Sequence, residues 1–354
     1  MNLDAPAWRV IPDNDVERRK LRTGDLIVTK SSGSPDHIGK CAVFIHPEDG
    51  HDYYFSNFML RLRADDSILD HRWLFYWLTS DRGRFELQRL NSTTTGLRNV
   101  NVGQYLGQTI PLPPLSEQKR IADILDKADA ILRKRQEAGN ALDDLLNSQF
   151  WKLFHAEMAI PANETTHVLI DTVDFLDYRG KSPPKSDSGI PLVTAKHVKR
   201  GWFEFDPPEF VPKDRYDGWM QRGLPRPGDV LFTTEGHTMG SAALLPRFEK
   251  VALAQRLIAL QCKDTICPDF LLHFVLSDRF QNEVRKRATG SAAQGIRAKE
   301  LQNIPIPLPA MEKQILFGKI ASAIQIQKER SAQSISDADG LFNSLVQCAF
   351  KGEL

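Results

Sequence analysis

The chain has 354 residues, 41% hydrophobic and 26% charged, which suits about two globular domains, each able to bury a sizeable core. A net charge of +1 excludes a protein that grips nucleic acid with its whole surface, so any such site is local. Four cysteines in no paired C-x-x-C sets, no apolar run near 18 residues and no signal peptide point to a reduced, cytoplasmic protein with buried thiols and no membrane span.

In chain order, Val10-Ile11-Pro12 precedes Arg22-Thr23-Gly24-Asp25-Leu26-Ile27, a Gly-Asp turn that launches a short β-type run ending in Thr29. The polar loop Lys30-Ser31-Ser32-Gly33-Ser34 follows. Residues 70–90 carry helical periodicity, with Asp70 suited to start it. After Ser92-Thr93-Thr94-Thr95-Gly96-Leu97-Arg98 comes Ile110-Pro111-Leu112-Pro113-Pro114. That segment cannot be helix interior, because proline lacks an amide hydrogen and holds its predecessor extended. Beyond it the pattern predicts one helix of about 39 residues, roughly 58 Å long. Its seam, spaced three and four, is Ile121, Ile124, Ala128, Ile131, Arg135, Gly139, Leu142, Leu146, Gln149 and Leu153.

The second half repeats these blocks in the same order. Phe210-Val211-Pro212 precedes Arg226-Pro227-Gly228-Asp229-Val230-Leu231, a run ending in Thr233, with the loop Thr234-Glu235-Gly236-His237 after it. Phe270-Leu271 with Ser277-Asp278-Arg279 answers Trp73-Leu74 with Ser80-Asp81-Arg82, and one helix is expected over 268–287. Ser291-Ala292-Ala293-Gln294-Gly295-Ile296-Arg297 is aligned with the block from Ser92 to Arg98. From Pro111 to Ser148 the shift is 196 without a gap, ending at Ser344. The copied seam is Phe317, Ile320, Ile324, Gln327, Ser331, Ile335, Ala338, Phe342, Leu345 and Ala349. Neither helix buries such a stripe alone, so one antiparallel pair acting as a spacer is expected. The fold class is therefore α+β: two mixed α/β domains separated by two long antiparallel helices resembling a coiled coil. The boundaries fall at 1–110, 111–157, 158–305 and 306–354.

These residues resemble the specificity subunit of type I restriction–modification systems. The matching parts are the Gly-Asp strands, the lead-in Ile110-Pro111-Leu112-Pro113-Pro114-Leu115-Ser116-Glu117-Gln118, Tyr178-Arg179-Gly180-Lys181-Ser182-Pro183 opening the second domain, and the closing Ala349-Phe350-Lys351-Gly352-Glu353-Leu354. The second lead-in departs from the pattern, reading Met311-Glu312-Lys313-Gln314. The resemblance implies two target-recognition domains and a non-catalytic chain that reads a two-part double-stranded DNA target. It also implies two methylation subunits and restriction subunits as partners. S-adenosylmethionine, ATP and magnesium then belong to those partners, and this chain holds no cofactor. A scaffold that binds methylation subunits without reading DNA is the alternative.

A search for chemistry within the chain returns little. Asp206-Pro207-Pro208-Glu209 approaches the D-P-P-Y/F motif of adenine methyltransferases, but Glu209 stands where the aromatic residue belongs and no glycine-rich cofactor loop exists. The E-x-K triplet Glu117-Gln118-Lys119 sits at a helix start, no P-loop is present, and the nine histidines include no H-E-x-x-H.

Phosphate contacts need cations, hydroxyls or amides, whereas base readout needs paired donors and acceptors. On that basis Lys30, Ser31, Ser32 and Ser34 after the first Gly-Asp strand, and Thr234, Glu235 and His237 after the second, are candidate DNA contacts, an ordinary solvated loop being the alternative. Thr93, Thr94, Thr95 and Arg98, with Gln294 and Arg297 in the copy, are next; a repeated turn at a helix terminus accounts for them nearly as well. Lys196 and Lys199, in Lys196-His197-Val198-Lys199-Arg200, suit phosphates, as does Arg285-Lys286-Arg287. Arg179 and Lys181 suit DNA or structure equally, and Arg133-Lys134-Arg135 suits solvent or a partner. Finally, about 50 residues separate the first long helix from Phe210-Val211-Pro212, but only nine precede Val10. The first domain thus lacks about 40 residues of the repeat, including any counterpart of Tyr178 to Lys181, which predicts an unpaired strand edge. It is then either compact or completed by a partner chain, and reads DNA less sharply.

Overall fold

The computed structural model describes residues 7–34, 37–89, 91–94, 97–290 and 294–354. It forms two units: Met1–Ala138 with Ser331–Leu354, and Gly139–Arg330.

The first unit opens with α1 (Asp13–Arg19), which starts directly after Pro12 and carries acids in its first turn and bases in its last, as the helix dipole favours. Then β1 (Leu26–Thr29) leaves the Gly-Asp turn. Gly24 adopts φ 92°, accessible to glycine at little cost, and the buried Asp25 carboxylate accepts the Arg22 amide at 2.8 Å. Next come β2 (Ser31–Ser32), β3 (Cys41–Val43) and β4 (Met59–Leu62). One antiparallel sheet has the order β3-β1-β4, with Leu26 opposite both Val43 and Leu62. The helix expected over 70–90 is two helices, α2 (His71–Thr79) and α3 (Asp81–Arg89). The break is Ser80, extended, whose hydroxyl accepts the Gly83 amide and so caps the second helix. A β-carbon on Gly83 would stand 2.2 Å from the Trp77 carbonyl, so the glycine permits the tight fold-back. Last are β5 (Asn91–Thr94), β6 (Leu97–Val100), α4 (Val102–Leu106) and the long α5 (Leu115–Ala159). A second small sheet has the order β2-β6-β5.

In the second unit α6 (Leu169–Thr172), β7 (Val173–Asp177), β8 (Ile190–Val193), β9 (Phe210–Val211) and α7 (Lys213–Trp219) lead to β10 (Val230–Thr233). Then follow β11 (Ala242–Leu244), β12 (Ala252–Leu253), β13 (Leu257–Cys262), α8 (Pro268–Leu276), α9 (Asp278–Arg287), α10 (Ala298–Gln302) and α11 (Met311–Lys351). The sheet β11-β10-β13-β7 repeats the first unit's register, with Val230 opposite Leu244 and Leu260. A small sheet β12-β8-β9 adds to it. The fourth strand β7 lies along β13, whereas β4, the counterpart of β13, ends the sheet among the described strands of the first unit. Side chains of β4 are half-buried, while residues 257–260 of β13 are fully buried. Again the helix expected over 268–287 breaks, at Ser277, which caps α9 through the Phe280 amide.

The long helices have 45 and 41 residues, more than the 39 expected. Each unit holds part of both, running antiparallel. In the first, Ile121 and Leu125 cluster with Phe342, Leu345, Val346 and Ala349, and Arg135 donates to the Ser334 carbonyl at 2.7 Å. In the second, the Phe150 and Phe154 rings meet Phe317, Lys328 pairs with Asp143 at 2.6 Å, and Lys313 with Glu157 at 2.7 Å. The expected seam on α5 holds in part: Ile121 is buried and Leu146 and Leu153 pack against a core cluster, but the middle departs from it. Ile131 is 51% exposed and Arg135 is exposed, while Leu125, Leu132, Phe150 and Phe154 are buried. A 3.6-residue period from Ile121 lands on Leu125, Leu132 and Phe150, which the 3-4 spacing taken from the sequence steps past. On α11 the expected positions hold better, with Phe317, Ile324, Ala338 and Ala349 buried, though Gln327 is exposed.

Candidate nucleic-acid interface

The loop after each Gly-Asp strand is not solitary. In the first unit β2 pairs with β6, Ser31 opposite Asn99 and Ser32 opposite Arg98, and the Val100 amide donates to the Lys30 carbonyl at 2.9 Å. In the second unit Glu235 lies opposite Gly295, the Gly236 amide donates to the Gln294 carbonyl at 3.0 Å, and the Ile296 amide donates to the Thr234 carbonyl at 2.9 Å. Adding 204 to the first segment and 196 to the second converts one set of pairs into the other. Each unit thus carries the same two-stranded polar strip in the same register. This corrects the sequence alignment: Arg98 corresponds to Gln294, and Arg297 to Asn101, the residues that precede α10 and α4. Shared lettering had shifted the match by three residues; backbone pairing overrides it. In the first unit the described parts of this segment belong to two paired strands, β5 and β6.

The expected contacts fall into three groups. Along the first strip Ser31 and Ser32 are half-buried; Ser31 donates to the Asn99 side chain at 2.6 Å and Ser32 accepts the Ser34 amide at 3.1 Å. Lys30 is half-buried, with its amide donating to the Phe58 carbonyl, while Thr94 stands on β5 opposite Leu97. Thr95, Ser291, Ala292 and Ala293 lie outside the described residues. Along the second strip Glu235, His237, Gln294 and Arg297 are exposed, Glu235 pairing with Arg256 at 3.2 Å. Gly295 permits the close approach, since a β-carbon there would meet that of Glu235 at 3.2 Å.

Other expected contacts point elsewhere. Thr234 is 1% exposed and its hydroxyl donates to the Arg256 carbonyl, so its side chain is a core element, not a reader. Lys196 shares Glu209 with Lys185, and Lys199 pairs with Glu204 at 3.2 Å, so the basic run is not a row of free cations. Burial presses the Glu209 carboxyl upward, but its two lysines outweigh that and hold it below the usual glutamate value. Between them His197 is buried, bonded to the Pro207 carbonyl and the Thr194 amide, and burial pulls it below the ordinary histidine value. Arg285 bonds to Asn282, and Lys286 and Arg287 to Glu283; Arg133 pairs with Asp129. Lys181 is exposed, but Arg179 is half-buried on Asp177. The four cysteines are free and half-buried, and burial pushes the Cys41 and Cys262 thiols to about 12.

Sequence reasoning used Gln118 and Gln314 only as landmarks, yet both are fully buried latches. Gln118 accepts the Asp70 amide at 2.9 Å and donates to the Ile68 and Pro113 carbonyls. Gln314 accepts the Cys267 amide at 2.8 Å and donates to the Thr265 and Pro309 carbonyls. Each therefore ties the first turn of a long helix to the residue that starts α2 or α8. The signal was available: a glutamine at the same distance after each proline segment.

The two units thus share one sheet register, one glutamine latch and one polar strip, the mark of an internal duplication. The family model of the type I restriction modification DNA specificity domain matches residues 15–139 and 222–333, one stretch in each half. The chain belongs to that family. It is 26% identical over 300 residues to the type I restriction enzyme MjaVIII specificity subunit of Methanocaldococcus jannaschii, covering 78% of this chain and 70% of that one. It is 23% identical over 371 residues to the EcoKI specificity subunit of Escherichia coli, covering 97% and 78%. Among solved structures, a chain from work on complex assembly and conformational transition of the type I R-M system aligns with a TM-score of 0.52 at 20% identity, covering 95% of this chain and 83% of that one. The S subunit from M. genitalium aligns with a TM-score of 0.50 at 14% identity, covering 94% and 84%. At these identities the structural likeness concerns the fold alone. No helix among the described residues is long and apolar enough to cross a membrane.

Proposed function

We propose that this chain reads a bipartite double-stranded DNA target, one part per unit, and directs adenine methylation and cleavage by its partners. The observation that carries this is the polar strip, present twice in one register. Two similar readers in one chain address two half-sites, as the halves of a dimer do, but are free to differ in sequence. Ser31 with Arg98 and Thr94 in the first unit, and Glu235, His237, Gln294 and Arg297 in the second, supply donors and acceptors for base edges. Lys30, Ser32, Ser34 and Lys181 suit phosphate oxygens. Two methylation subunits using S-adenosylmethionine, and restriction subunits using ATP and magnesium, complete the assembly in the cytoplasm; this chain itself holds no cofactor and performs no chemistry. With a net charge of +1, its grip on DNA depends on those local contacts and on its partners.

The test is to assemble the chain with the methylation subunits, select bound duplexes from a randomised pool, and map the methylated adenines. Two short consensus blocks at constant spacing are expected. Binding without any consensus would instead support the scaffold that reads no DNA.

A further inference from the structure

The strip of the second unit has a brace from outside itself. Arg179 lies two residues beyond Asp177, the last residue of β7. Its Nε donates to Asp177 Oδ1 at 2.9 Å and its Nη2 to Oδ2 at 2.7 Å, a planar two-point clasp that lysine cannot make. The Arg179 amide also donates to Asp177 Oδ1, at 2.9 Å. This leaves Nη1, which donates to the Ile296 carbonyl at 3.1 Å. Ile296 is therefore held three ways: its amide by Thr234, its carbonyl by Arg179, and its side chain by burial.

The frame behind the guanidinium is the same sheet that launches the other half of the strip. Asp177 lies opposite Ile258 on β13, and Ile258 lies opposite Phe232 on β10, which runs on to Thr234 and Glu235. Arg222 supports the corner from behind, donating to the carbonyls of Asp177 at 2.8 Å and Arg179 at 3.2 Å. Burial presses the Asp177 carboxyl upward, but Arg179 outweighs it and leaves it below the usual aspartate value, as expected of a committed ion pair. Half-buried and bonded at Nε, Nη1 and Nη2, Arg179 is poorly placed to reach a phosphate.

We infer that Arg179 is a positioning residue for sequence discrimination by the second unit, fixing the height of residues 294–297 against 234–236 without touching DNA itself. The inference rests on the reading of the strip as a DNA reader. Among the described residues of the first unit β4 is paired on one side by β1 and by no strand on the other, so nothing described there stands in the place of β7. The brace is described in the second unit.

Arg179→Ala, Arg179→Lys and Asp177→Asn in the full chain, assembled with the methylation subunits, test it. Three readouts are taken: thermal unfolding, salt-dependent binding to a duplex of arbitrary sequence, and the sequences selected from a randomised pool. For Arg179→Ala the preference at second-half positions should fall about tenfold or more, the scale of one lost base contact. First-half preference and the salt slope should stay as in the parent protein. Arg179→Lys should behave like alanine, since a point charge cannot replace the fork, and Asp177→Asn should show a smaller loss in the same half. An unchanged second-half preference in folded Arg179→Ala overturns the inference. So does a uniform loss with a shallower salt slope, which marks a phosphate contact. If alanine unfolds the protein, a second-half preference retained in both folded Arg179→Lys and Asp177→Asn overturns it equally. A parent protein that selects no consensus is a different failure, that of the DNA-reading function.

Discussion

Asp25 and Asp229 show how one duplicated residue acquires two electrostatic settings. Both are buried, and each accepts the backbone amide three residues back. Asp25 is clasped by Arg63 at 2.7 Å through both oxygens, whereas the side chain that Asp229 meets among the described residues is the neutral Gln261 amide, and burial raises its carboxyl above the ordinary 3.8. Because the folded value is raised, any stability this group adds is present below 3.8 and is lost as pH climbs through the raised value. Asp25→Asn should therefore cost about 1.5–3 kcal/mol, toward the lower end because Arg63 is partly open to water. Asp229→Asn should change stability at pH 7 by less than about 1 kcal/mol and flatten its decline above the usual aspartate range. Urea midpoints of the two variants at several pH values measure the difference; equal losses at pH 7 would contradict it. Gly295 offers a second check. A methyl group there must push Glu235 away, so Gly295→Ala should blunt second-half preference while leaving the melting temperature within a few degrees. A selection experiment with that variant reads the outcome directly.

At the scale of elements, what the sequence displays is local and what it hides is not. The Gly-Asp strands, the proline lead-ins and the 196-residue shift are short-range patterns, and the structure has all three. Hidden were the breaks at Ser80 and Ser277, because the apolar spacing of Trp73, Tyr76 and Trp77 runs up to the break without announcing it. Hidden too was the pairing of Ser31 with Asn99, two residues 68 positions apart with no shared local signal. Lys196 and Lys199 looked like phosphate contacts because Glu209 and Glu204 join them only after folding, although Asp177, two residues from Arg179, was in plain view. The phase of α5 gives a test. Leu125 is fully buried and Ile131 is 51% exposed, so Leu125→Ala should cost about 2–5 kcal/mol and Ile131→Ala less than about 0.5 kcal/mol. Chemical denaturation of the pair decides between the observed phase and the one expected from the sequence. The duplication also reaches the aromatic core: Trp73 meets Phe350 at 4.6 Å, as Phe270 meets Phe154 at 4.8 Å.

At the scale of the whole molecule the two units differ in their described sheets, four strands around β10 against three around β1. β7 and the Arg179 brace serve the second unit, and β4 ends its sheet among the described strands of the first. We expect the first half of the selected consensus to be the less sharply defined; two equally sharp halves would show that neither β7 nor the brace matters for reading. Composition differs in another respect. The second unit is one unbroken stretch, Gly139–Arg330, whereas the first combines Met1–Ala138 with Ser331–Leu354. Phe350 and Val346 belong to the cores around Trp73 and Trp77, so the earliest residues made await some of the last. During synthesis at about 5–20 residues per second, domains made first usually fold first. Here that order is reversed for one core: every residue of the second unit is made before Val346 and Ala349, which the cluster around Trp73 needs to close.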